Sequence, residues 1–199
     1  MTDHYFSRTP NVDSNPTYWD FELRNNIFHF KTDQGVFSKN EVDFGSRLLI
    51  ETFQVPEVVG NLLDVGCGYG PIGISLAKSY ENLTVHMIDV NERALSLAAL
   101  NAEKNGVHNT RIYESDTLQS VEESFAAILT NPPIRAGKDV VHSILTQSYD
   151  HLVKGGELWV VIQKKQGAPS AQSKMKELFG DVEVVMKKKG YYILKAQKH

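Results

Sequence analysis

The chain is poor in the features that assign a protein quickly. Of its 199 residues one is cysteine, Cys67. No intrachain disulfide can form, which is consistent with a reducing cytoplasm. No apolar run approaches the ~18 residues of a membrane span, and Met1-Thr2-Asp3-His4 begins no basic-then-apolar signal. The seven histidines are scattered without cysteine partners at metal-ligand spacing, which argues against a metal site. Internal repeats and low-complexity tracts are missing too. A net charge of −3 does not announce a nucleic-acid binder. The excess of basic residues is confined to one end: residues 135–199 hold 12 Lys and Arg against 6 Asp and Glu. Such a bias suits either contact with phosphates or an ordinary solvated surface.

What remains is a hydrophobic content of 41%, ordinary for a globular chain long enough to bury a core. The expectation is one structural domain. Residues 1–54 would form an arm, a hairpin and a helix packed on a core that spans 55–199.

That core is organised around Leu62-Leu63-Asp64-Val65-Gly66-Cys67-Gly68-Tyr69-Gly70-Pro71-Ile72-Gly73. It reads as a short apolar strand, a glycine-rich loop and the first turn of a helix, with Pro71 at a position where a missing N–H costs nothing. Gly68 to Gly73 also satisfies the dinucleotide pattern Gly-x-Gly-x-x-Gly. The register disagrees, because the strand ends at Asp64-Val65 and the turn starts two residues before that pattern. Asp64 would also bring a carboxylate close to a pyrophosphate. The same carboxylate suits a ligand with an ammonium and a sulfonium, namely S-adenosyl-L-methionine. A plain strand–turn–helix is the bland alternative. Cys67 reads as a small residue that fits the loop.

In chain order, the first seventeen residues read as a loosely ordered arm. Tyr18–Leu23 and Ile27–Thr32 read as a β-hairpin about Arg24-Asn25-Asn26, and Asp43 as the N-cap of a helix. After the glycine loop and its helix come a strand ending at Asp89, a helix capped by Asn91, and a strand ending in Glu114-Ser115-Asp116. Phe125–Thr130 then runs into Asn131-Pro132-Pro133-Ile134. Val141, Ile144, Leu145 and Leu152 predict a further helix closed by Lys154-Gly155-Gly156. The strand Glu157–Ile162, a helix over Ser170–Phe179 and a hairpin about Lys187-Lys188-Lys189-Gly190 complete the chain. The fold class is therefore α/β: a doubly wound, mostly parallel, seven-stranded sheet with a C-terminal antiparallel hairpin and an N-terminal β-hairpin extension. Ligands of such sheets sit beyond the carboxyl ends of the strands. Asp64, Asp89, Asp116 and Asn131 would gather there.

Asp89 can accept from both hydroxyls of a ribose, although NAD enzymes place an acid similarly and a helix cap is the plainer role. Asp116 can accept from an adenine amino group. In Asn131-Pro132-Pro133 the prolines fix φ and donate no hydrogen bonds, so the Asn131 side-chain oxygen and a nearby carbonyl are free to accept both hydrogens of a planar –NH₂. Such an amine is a poor nucleophile, and holding it favours the pyramidal geometry of its attack on an electrophile.

Together, the loop from Asp64 to Gly70, Asp89, Asp116 and Asn131 to Ile134 resemble the ordered motifs of class I S-adenosylmethionine-dependent methyltransferases acting on amino nitrogens. Gly35-Val36-Phe37-Ser38 and Asp43-Phe44-Gly45-Ser46-Arg47-Leu48-Leu49 resemble more narrowly the small-subunit ribosomal RNA guanine-N2 methyltransferase family. The resemblance implies cofactor contacts from Asp64, Gly66, Cys67, Gly68, Gly70, Asp89, Val90, Asp116 and Asn131. It implies presentation of the amine by Asn131, Pro132, Pro133 and Ile134. Family members of the two-domain type carry a second, degenerate domain, for which 199 residues leave no room, and an aromatic residue where this chain has Ile134. Either stacking on the base then comes from elsewhere, with Phe37 the candidate, or the substrate differs. Arg135, Lys138, Lys164 and Lys165 follow the fourth and fifth strands of the expected sheet and are the expected RNA contacts. The implied partner is ribosomal RNA or an assembling small ribosomal subunit, met in the cytoplasm by a monomer or homodimer, with no metal and no membrane. A glutamine-N5 protein methyltransferase, an adenine-N6 nucleic-acid methyltransferase, an S-adenosylmethionine-binding RNA-assembly factor and an NAD-binding protein stay open.

Overall fold

The computed structural model describes residues 7–38 and 40–199. β1 (Thr17–Leu23) and β2 (Asn26–Thr32) pair antiparallel across Arg24 and Asn25, whose φ values are 48° and 60°. Two successive left-handed residues make the tight turn whose twist suits a hairpin. Arg24 holds that turn against α1 (Phe44–Thr52): Nη1 donates to the Ile50 and Phe53 carbonyls at 3.0 Å, and Nη2 to the Tyr80 hydroxyl at 3.0 Å. Carbonyls at a helix end lack partners within the helix, so a side chain that reaches them stabilises it.

Strands and helices then alternate as β3 (Asn61–Val65), α2 (Pro71–Ser79), β4 (Val85–Asp89), α3 (Glu92–Lys104) and β5 (Thr110–Glu114). After these come β6 (Phe125–Thr130), α4 (Lys138–Asp150), β7 (Leu152–Gln163), α5 (Ala168–Phe179), β8 (Glu183–Lys188) and β9 (Tyr191–Gln197). Their seven-stranded sheet runs β5-β4-β3-β6-β7-β9-β8, parallel from β5 to β7 and antiparallel at β9 and β8. The strand order reverses between β3 and β6, which opens a crevice at their carboxyl ends. Two apolar clusters flank the sheet. One joins α1, α2, α3 and the N-terminal hairpin, and the other joins α4 and α5. Being covered on both faces, β6 is buried at every residue.

The N-terminal hairpin is tied down by amides rather than by a third strand. Asn101 accepts from the Lys31 N–H at 2.7 Å and donates to its carbonyl at 2.9 Å. Asn105, at the C-cap of α3, does the same for His29 at 2.8 and 2.9 Å. The second Asn101 hydrogen goes to the Tyr69 carbonyl of the glycine loop at 2.9 Å.

Three expectations need correction. Residues 1–6 of the arm lie outside the described residues, but residues 7–16, though irregular, are anchored: Arg8 pairs with Glu92 and Glu114, and Asp33 accepts from Ser14 and Asn15. Leu152 belongs to β7, not to the preceding helix, which ends at Asp150. Its seven-residue spacing from Leu145 fits either reading, and Lys154-Gly155-Gly156 form an irregularity in the strand where the β6 register shifts. A Cβ at Gly156 would lie 2.9 Å from the Phe125 carbonyl oxygen, so only glycine lets the strands meet there. The tip of the last hairpin is Lys189-Gly190 alone, since Lys187 and Lys188 pair with β9.

Candidate active site

The glycine loop divides its glycines between two tasks. Gly66 and Gly68 have φ of 73° and 57°, and a Cβ on either would project into open space. Both line a cavity of about 370 Å³. Gly70 and Gly73 serve packing instead. A Cβ would lie 2.6 Å from Ile74 Cδ1 at Gly70, and 2.5 Å from Met87 Cγ at Gly73.

Gly70 and Asp64, both expected to touch the ligand, do not line this cavity. Strand alternation turns Asp64 to the same face of the sheet as Leu62, beneath α2. There it is 1% exposed, and its Oδ2 accepts from the Gly73 N–H at 2.9 Å. Its Oδ1 is buried with no partner among the described residues. Burial pushes its pKa up to about 7; the Gly73 hydrogen bond opposes this and the charge of Asp89 adds to it. A folded-state pKa above the unfolded one means that the folded protein holds the proton more tightly. The stabilisation is complete below about pH 4 and is lost as pH rises through about 7. Asp64→Asn, which cannot ionise, is therefore expected to gain stability relative to wild type between pH 5 and pH 8. The gain approaches at most about 1.4 kcal/mol per pH unit. Denaturant melts of the unliganded protein at both pH values check this, and a constant difference would refute it.

Asp89 does line the cavity. Its Oδ2 accepts from Gly68 N and its Oδ1 from Asn91 N, each at 2.9 Å. Burial raises its pKa, against the pull of these backbone donors. One carboxylate thus sets the height of the loop and the start of α3, and it keeps acceptor capacity for a ligand hydroxyl. Val90 lies beside it and Asp116 stands exposed at the lip. Cys67 is buried, and burial pushes its thiol well above the ordinary range, so it is no nucleophile at neutral pH.

A second cavity, of about 610 Å³, adjoins the first. The two share Val36, Phe37, Ser38, Asp43, Asn131 and Pro132. Pro133 lies on the inner side, Ile134 and Arg135 on the outer. Asn131 therefore sits at the junction. Its Nδ2 donates to Asp43 Oδ2 at 2.9 Å and to Ser46 Oγ at 3.0 Å. Those partners, 88 and 85 residues away in sequence, were not expected. Gln163, Gln166 and Tyr191 of the outer wall were also unforeseen, and nothing local in the sequence marks them. Lys164 and Lys165 are exposed on the 3₁₀ turn between the two glutamines, outside both cavities. Lys138 opens α4 beside a separate groove with His142 and Ser170.

The inner cavity carries Asp43, Asp89 and Asp116, and no Lys, Arg or His among the described residues that line it. An anionic pyrophosphate would meet repulsion there, whereas a ribose with a cationic tail would not. The residues present thus fit S-adenosylmethionine: open glycines beneath it, Asp89 for the ribose hydroxyls and Asp116 for the adenine amine. No group of three or more His, Cys, Asp or Glu able to hold a metal ion occurs among the described residues, and no helix is long and apolar enough to cross a membrane.

An acidic pocket that meets an open second pocket at one asparagine fits the class of S-adenosylmethionine-dependent methyltransferases. The family model of the methyltransferase small domain matches residues 27–195, and the chain belongs to that family. It is 62% identical over 200 residues to the uncharacterized protein YbxB of Bacillus subtilis, covering all of both chains. It is 32% identical over 168 residues to ribosomal RNA small subunit methyltransferase C of Vibrio cholerae, covering 82% of this chain and 48% of that one. Among solved structures, the 16S rRNA N2 G1207 methyltransferase RsmC of T. thermophilus, in complex with AdoMet and guanosine, shares the fold with a TM-score of 0.83. Sequence identity there is 24%, over 96% of this chain and 52% of that one. The chain spans about half the length of the named ribosomal RNA methyltransferases it matches.

Proposed function

We propose that this protein transfers a methyl group from S-adenosylmethionine to the exocyclic N2 amine of a guanine in small-subunit ribosomal RNA. The carrying observation is Asn131 at the junction of the two cavities, its Nδ2 occupied and its Oδ1 therefore free to accept from an amine. The similarity to the small subunit methyltransferases, one solved with guanosine, supports guanine as the base.

The cofactor, when bound, supplies an electrophilic methyl carbon on a positively charged sulfur. Asp89 and the open glycines hold the nucleoside. Asn131 Oδ1, with a carbonyl of the Asn-Pro-Pro segment, accepts the two amine hydrogens and draws the nitrogen out of conjugation with the ring. The nitrogen would form its N–C bond as the methyl carbon's bond to sulfur breaks, leaving a neutral thioether, and its N–H proton would depart to water. Positioning and electrostatics carry this reaction, without a strong general base. Phe37, 42% exposed and on the wall of both cavities, would cover the base. A ribosomal substrate would locate the protein in the cytoplasm.

Tritiated methyl transfer to small ribosomal subunits, naked ribosomal RNA, DNA and release factors, followed by nucleoside or peptide mass analysis, tests the proposal. N2-methylguanosine is the expected product. Methylated adenine, or methylated glutamine in a release factor, would refute it. On the same reading Lys164 and Lys165 contact phosphates beside the outer cavity. Changing both to alanine should lower the salt slope of RNA binding by about 1.5 and leave cofactor affinity unchanged. An unaltered slope would remove the pair from the interface.

A further inference from the structure

We infer that Asp43 both orients Asn131 and selects the base, its second carboxylate oxygen receiving the N1–H of a guanine whose N2 amine Asn131 holds. The inference rests on the proposed guanine substrate and adds to it the group that tells guanine from other bases.

A carboxylate accepts and does not donate, so the Asn131 atom facing Asp43 must be the amide nitrogen. With one hydrogen on Asp43 Oδ2 and the other on Ser46 Oγ, the amide cannot flip, and Oδ1 is the atom left for substrate. Asp43 is itself fixed as the N-cap of α1, its Oδ2 also accepting from the Ser46 N–H at 3.0 Å. The next residue but one, Gly45, has no Cβ because one would lie 2.7 Å from the Tyr191 ring, which lines the outer cavity. The cap is thus set from both sides.

Both donors fall on Oδ2. Oδ1 of Asp43 has no hydrogen-bond partner among the described residues, on a side chain that lines both cavities. A planar base whose amine rests on Asn131 presents the neighbouring ring position to Asp43. The N2 amine of guanine stands between N1–H, a donor, and N3, an acceptor, and only the N1–H side suits a carboxylate. In adenine the ring nitrogen beside the amine is an acceptor, and its lone pair would face a carboxylate. The pair Asn131 and Asp43 therefore reads donor–donor.

The test exchanges the N1 donor for an acceptor, and the Asp43 variant separates that change from the loss of O6 that comes with it. 2-Aminopurine keeps the N2 amine but has an acceptor at N1. A short RNA spanning the nucleotide identified by mass analysis is made with guanine or 2-aminopurine there, and kcat/KM is measured for the full-length protein. Wild type should prefer guanine by about 10²-fold. Asp43→Asn, which places an amide where the carboxylate stood, should lose about 10²-fold on guanine and bring the preference within about fivefold. Ser46→Ala should lower kcat several-fold and keep the preference. Equal use of both bases by wild type overturns the inference without any variant, as does an unchanged preference in Asp43→Asn. If no guanine is methylated at all, the proposed function falls as well. Guanine methylated without preference removes this inference alone.

Discussion

Asn131→Ala is expected to reduce methyl transfer by at least about 10²-fold while cofactor affinity stays within about tenfold. The asymmetry follows from where the side chain sits. Asn131 touches the inner cavity only at its junction with the outer one, so a bound nucleoside loses little when the amide is removed. The amine loses the acceptor that orients it. The fault does not stop there, because Asp43 Oδ2 and Ser46 Oγ lose the donor that joined them. Asp43 still caps α1 through the Ser46 N–H, so the helix should survive and the protein should fold. Single-turnover transfer and calorimetry with the cofactor measure the two effects separately. Equal losses in both would make Asn131 structural rather than catalytic.

Asp89→Ala should act in the opposite sense, on binding first. Two charge-assisted hydrogen bonds to the ribose amount to about 2–4 kcal/mol, or roughly 30- to 1000-fold in affinity. The backbone contacts make the upper end the expected one. Without the carboxylate the Gly68 and Asn91 N–H groups lose their acceptor, and the loop loses its fixed height above the cavity. Calorimetric titration with S-adenosylmethionine measures the loss. Unchanged affinity would show that Asp89 only supports backbone.

These two residues were legible in the sequence because each stands at the end of an apolar strand, and strand ends in an open α/β sheet converge. The N-terminal hairpin, the helix caps at Asp43 and Asn91, and the order of elements were legible for the same local reason: period, caps and turn residues are written within a few positions. Asp64 shows where such reasoning slips. Its place in the motif pointed to the ligand, while the alternation of Leu62, Leu63, Asp64 and Val65 put it on the face of Leu62, which α2 covers. The start of β7 was hidden because Leu152 fits a helical stripe and a strand equally well. The clamp of Asp43 and Ser46 on Asn131, and the outer wall of Gln163, Gln166 and Tyr191, arise only when distant segments meet. Asp43 was visible as a helix cap, and its second task could not be read from its neighbours.

The amides on α3 carry one more consequence. Four residues of helix advance about 6 Å and two residues of strand about 6.7 Å. Asn101 and Asn105 are therefore nearly commensurate with Lys31 and His29, and the helix meshes with β2 like a rack whose teeth match at one setting. Moving the hairpin by one residue would bring to the amides the backbone groups that now face β1. Because Asn101 also grips the Tyr69 carbonyl, that setting is passed to the glycine loop. The N-terminal sheet thus serves as a gauge for the height of the cofactor floor, although it contributes no side chain to the floor itself.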